Sequence, residues 1–137
     1  MARKIFRLYA TGQTFDLETF QTKTTNMVDY TREIEFDSKD KFISNMKDQI
    51  NSFLEQVYPL AESTPDLFVE YKGEKIKIAF IPKDASAYVL NAQLATIITM
   101  IIELVANREK EILARAMADR MAVKCDPYEN MPTQLQR

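Results

Sequence analysis

The sequence predicts an α+β domain: a mainly antiparallel sheet of about five strands, one medium helix and one long C-terminal helix, in the order β-β-β-α-β-β-α. Three observations carry that expectation. Met27–Phe36 alternates between apolar and polar residues, the period of a half-buried strand. Two later stretches repeat their apolar residues at three and four, the period of a helix. Short connections containing Gly12 and Gly73 join neighbouring strand-like segments, which favours antiparallel pairing.

Residues 4–10 (KIFRLYA) are rich in β-formers, and Phe6, Leu8 and Ala10 fall on one face. Thr11-Gly12-Gln13 reads as a tight turn into a second strand at residues 14–21, where Phe15, Leu17 and Thr19 alternate. Residues 22–26 (TKTTN) are uniformly polar and read as a loop. In the third strand Val28, Tyr30, Ile34 and Phe36 share the inward register with Arg32. Asp29, Thr31, Glu33 and Glu35 face out.

Asp37 and Ser38 are favoured helix N-caps, and Asp40 suits the positive end of the helix dipole. Phe42, Ile43, Met46, Ile50, Phe53, Leu54 and Val57 then make one apolar face, and Pro59 stops the helix. Residues 61–66 connect to a second hairpin, 67–72 and 75–81, with Gly73 at its turn and Pro82 after it.

Asp84 or Ser86 caps the long helix, which runs to about Val123. Between Leu94 and Ala106 only Thr96, Thr99 and Glu103 are polar, and they line up as one narrow stripe. In the second half Ile112, Leu113, Ala116, Met117 and Met121 form one face. Residues 1–125 are read as a single domain and 126–137, with Pro127 and Pro132, as a polar tail.

Composition narrows the chemistry. The 137 residues include 18 basic and 20 acidic side chains, for a net charge of −2, which offers nucleic acid or an anionic membrane no global attraction. With no histidine and one cysteine, Cys125, the chain has no His-based catalytic triad, no His-ligated zinc and no internal disulfide. Two glycines rule out a glycine-rich phosphate loop. No metal, cofactor or catalytic residue is expected. Met1–Ala10 lacks the pattern of a secretory signal, and the expected location is a reducing cytoplasm, or host cytoplasm if the chain is phage-encoded. Asn91, Gln93, Thr96, Thr99 and Glu103 interrupt the apolar run of the long helix, so a membrane span is not expected.

A helix apolar over most of its circumference must be covered on several sides. One small sheet and one helix cover only part of it. Ile97, Met100, Ile101, Leu104, Ile112, Met117 and Met121 are therefore the expected contact with a second copy. The primary expectation is a non-catalytic homo-oligomer that works by binding, as a component of an assembly (a phage-like particle, for example) or as an inhibitor of another protein. The alternative is a binder that sequesters an anionic small molecule, such as a nucleotide signal, between subunits. Its polar groups would be Arg108 and Arg115, seven apart and hence on one helix face, Asn91 and Tyr88 at the helix start, and Arg32 on the sheet. On one helix Asn91 and Arg108 stand about 25 Å apart along the axis, so a shared pocket needs two chains.

Other signals have ordinary explanations. Phe20, Phe68 and Phe80 are candidates for stacking on a base, but phenylalanine in strands is usually core. Lys72, Lys75 and Lys77 suit a protected sheet edge. Arg120 and Lys124 alternate with acids in the pattern of a solvated helix face.

Overall fold

The computed structural model describes residues 2–61 and 64–124, with side chains as far as Met121. It is an α+β fold. Strands β1 (Ala2–Asp16) and β2 (Gln21–Phe36) lead into helix α1 (Lys39–Val57) and a 3₁₀ turn at Tyr58–Leu60. Strands β3 (Asp66–Tyr71) and β4 (Glu74–Ile78) precede helix α2 (Ala87–Lys124). The sheet order is β2-β1-β3-β4, and every pairing is antiparallel.

Four strands replace the expected five because the first turn is not at Gly12. β1 runs straight through Thr11-Gly12-Gln13, and the polar tract expected as a loop, residues 22–26, forms the start of β2 opposite it. Gly12 lies where the register shifts, between Ala10 and Thr11, a shift that leaves Met27 without a partner on β1. A Cβ on Gly12 would stand 2.6 Å from the Met27 sulfur. The glycine therefore makes room at a bulge, the other common use of glycine in a strand. The turn lies at Leu17–Phe20. The Phe20 N–H donates to the Asp16 carbonyl at 2.8 Å, and Phe20 takes the left-handed backbone, with φ 56°. Gly73 does mark a turn. It and Lys72 have φ of 89° and 46°, and the two join Tyr71 to its partner Glu74 in the manner of a type I′ hairpin.

α1 begins as expected, the Ser38 hydroxyl accepting from the Lys41 N–H at 3.2 Å. It packs closest on β2 and buries Phe42, Met46, Ile50, Phe53, Leu54 and Val57. Opposite, the sheet's inner face supplies Phe6, Leu8, Ala10, Ile34, Leu67, Val69, Tyr71 and Ile78. Aromatic contacts tie the two layers: Phe42 meets Phe6 at 6.1 Å and Phe36 at 5.0 Å, and Tyr30 meets Phe53 edge-on at 6.0 Å. At the start of α2 the Ser86 hydroxyl accepts from the Val89 N–H at 3.2 Å, so Ser86 is the cap.

The chain divides into two compact units, and the boundary lies inside α2 between Leu104 and Val105. In the first unit Leu94, Ile97, Ile98, Ile101 and Leu104 are buried, while Asn91, Ala92, Ala95, Thr96, Thr99 and Glu103 are exposed. The expected contact at Ile97, Ile101 and Leu104 is thus corrected: their exposures of 1%, 0% and 8% make them core within one chain, and Met100 is half-buried. In the second unit every side chain from Lys110 to Met121 is exposed. The polar tail at 126–137 and Cys125 lie outside the described residues.

Candidate functional site

The polar candidates separate into two groups. Tyr88 and Asn91 lie on the exposed first turns of α2, Tyr88 being 83% exposed. Thr96 and Thr99, farther along, return their hydroxyls to the helix, donating to the carbonyls of Ala92 at 3.2 Å and Ala95 at 3.0 Å. Arg32 escapes the inward register of β2: its guanidinium lies 4.0 Å over the Tyr30 ring and donates to the Thr31 carbonyl at 3.0 Å. These belong to the first unit. Arg108 and Arg115 belong to the second, where Arg108 is half-buried and already engaged, and Arg115 is exposed.

None of Arg32, Tyr88, Asn91, Arg108 and Arg115 lines either of two clefts in the first unit. One, of about 320 Å³, lies where Leu54 and Tyr58 meet Lys83 and Leu90. Its phenol is committed, donating to the Ile81 carbonyl at 2.6 Å, and burial followed by the nearby Glu55 pushes the Tyr58 pKa up. The other, of about 460 Å³, is lined by Glu33, Glu35 and Asp48 beside Asn45. Its carboxylates repel an anion. Glu35 also pairs with Arg3 at 3.0 Å. No group of three or more metal-ligating side chains occurs among the described residues.

The outer sheet face is self-satisfied. Arg7 forks onto Asp29 at 2.9 and 2.7 Å, reaches Glu70 at 3.2 Å and lies 4.1 Å over Tyr9. That hydrogen bond holds the Asp29 carboxyl below its ordinary range, and its partner raises Arg7. Tyr9 stacks on Phe68 at 5.0 Å, and Lys75 covers the Phe68 ring. Phe68 is half-buried. Lys77 pairs with Asp66 at 3.0 Å.

Large apolar side chains also stand at the surface. On α2, Ile112, Leu113, Met117 and Met121 are 37%, 60%, 50% and 62% exposed. Ile112, Met117 and Met121 were expected at a contact, and Leu113 joins them. A second group was not expected at a contact: alternation put Phe15 and Leu17 on one strand face, and Phe20 was a candidate only for stacking on a base. Phe15, Leu17 and Phe20 are 56%, 75% and 76% exposed around the β1–β2 turn. Alternation marks such residues as inward. The contrary signal is the polar tract at 22–26, which pairs with residues 11–15 and leaves that stretch of hairpin no apolar partner strand.

α2 also bears on membranes. Over Ala87–Met121 it is long and apolar enough to cross one by length and composition alone. Yet its large aliphatics Leu94, Ile97, Ile98 and Ile101 are buried within the chain, and the residues left outside there are largely small or polar. Comparison with family models, curated proteins and solved structures finds no match.

Proposed function

We propose that this protein acts by binding rather than catalysis, as a homo-oligomer whose contact lies on the second half of α2. One observation carries the reading: Leu113, Met117 and Met121, at helical spacing, stand in solvent in a stretch, Lys110 to Met121, with no buried side chain. Helices in proteins draw most of their stability from packing an amphipathic face, and an isolated segment of this length is marginal in water. A second copy supplies the missing cover. Methionine suits such a surface because its thioether adapts to the opposing shape. In this reading the oligomer serves as an assembly component or an inhibitor-type protein in a reducing compartment.

Hydrogen exchange across Arg108–Met121 tests the proposal. These amides should gain protection as protein concentration rises through the dissociation constant. Exchange independent of concentration would contradict it. The alternative, an anionic ligand held between subunits, has less support, because its five polar groups gather around neither cleft and the larger cleft is acidic.

A further inference from the structure

The β1–β2 hairpin outruns the rest of the sheet. β3 pairs with β1 only from Arg7 to Thr11, so residues 12–25 form a two-stranded ribbon. Such ribbons are marginal alone, yet this one is well tied at its end. The Asp16 carbonyl accepts from the Phe20 N–H, and its carboxylate accepts from the Glu18 N–H at 2.9 Å and pairs with Lys23 at 3.6 Å. The ordered turn holds Phe15 and Phe20 edge-on at 6.2 Å with Leu17 beside them in sequence, all in solvent. Asp16 is consumed by the turn; Glu18 is the exposed charge of the tip.

The second half of α2 is its complement. At about 100° per residue, Leu113, Met117 and Met121 share one face, with Lys110 and Arg120 within about 60° of its centre and Glu111 and Asp119 on the far side. Glu109, at the margin, is already engaged. An apolar stripe with a basic rim thus exists on the same chain as an aromatic tip with an acidic charge.

We propose that the hairpin tip of one copy seats on the Leu113–Met121 face of a second copy. Phe15, Leu17 and Phe20 cover the leucine and the two thioethers, and Glu18 lies by Arg120 and Lys110. Methionine sulfur against aromatic ring edges adds to the apolar contact. Three side chains are few for a stable interface, which typically buries about 1,200–2,000 Å². The tip contact on its own is therefore of the weak, transient class. This proposal rests on the oligomer reading and specifies what covers the helix.

Sedimentation equilibrium on the full chain tests it, with circular dichroism to check that each variant folds. Glu18→Arg and Arg120→Glu should each weaken self-association on the order of tenfold by placing like charges together, and the double variant should recover most of that loss. A Phe15→Ser/Leu17→Ser/Phe20→Ser variant should be monomeric. Two results would overturn the tip contact while leaving the oligomer intact: self-association unchanged in the tip variant but abolished by Met117→Glu, or no recovery in the charge-swapped pair. A native protein monomeric at all concentrations would overturn both.

Discussion

Two tyrosines show how differently one hydroxyl can behave. The Tyr58 phenol donates to the Ile81 carbonyl, pinning the connector that follows β4. The Tyr30 hydroxyl is enclosed with no hydrogen-bond partner among the described residues, and burial pushes its pKa up. Tyr58→Phe should therefore cost about 1 kcal/mol, whereas Tyr30→Phe should be neutral or stabilising. Urea unfolding of the two variants checks the contrast. At Arg7 and Asp29 the pairing has a pH signature. A carboxylate held below its ordinary value contributes stability that is full above its unfolded pKa, about 3.9, and is lost as pH falls through the lower folded value. Asp16, lowered chiefly by the Glu18 N–H, adds in the same sense. The melting temperature should drop as pH falls below about 4, and Asp29→Asn should shallow that drop. Of these details, only the register of Arg32 and the outward place of Asp29 were legible in the sequence. Alternation assigns a face but not a partner, so the stacking of Arg32 on Tyr30 and the Arg7 fork were not.

At the scale of elements, periodicity located both helices and the Gly73 hairpin, because in each a local signal and the tertiary structure agree. The first hairpin was misread for a physical reason. Glycine favours turns through positive φ, but it also serves where another group must approach the backbone, and at Gly12 that group is the Met27 side chain. The two uses look alike in sequence. α2 gives a second lesson. The polar stripe Thr96, Thr99 and Glu103 did indicate the solvent side of its first half. Periodicity did not reveal that the chain's own core covers Ile97, Ile101 and Leu104, since coverage depends on long-range packing. Mutational cost should divide accordingly. Ile101→Ala, at a fully buried site, should lose about 2–5 kcal/mol. Leu113→Ala should change the stability of dilute, dissociated protein by no more than about 0.5 kcal/mol. Thermal melts at low concentration read both.

For the molecule as a whole, fold class followed from the order of elements, and the absence of histidine and scarcity of cysteine and glycine steered the reading away from several common chemistries. The candidate site was half legible. Ile112, Met117 and Met121 stand exposed, while the buried residues upstream of them do not, and the exposure of Phe15 and Leu17 was hidden by their alternation. The central claim is that the chain self-associates through the second half of α2. Light scattering behind size exclusion tests it most directly, on the native chain and on Leu113→Glu/Met117→Glu. Self-association through this face should give a native molar mass at a multiple of 15.9 kDa, falling to 15.9 kDa in the variant with its circular dichroism retained. A native mass of 15.9 kDa at every concentration, or a multiple that the substitutions leave unchanged, would contradict it.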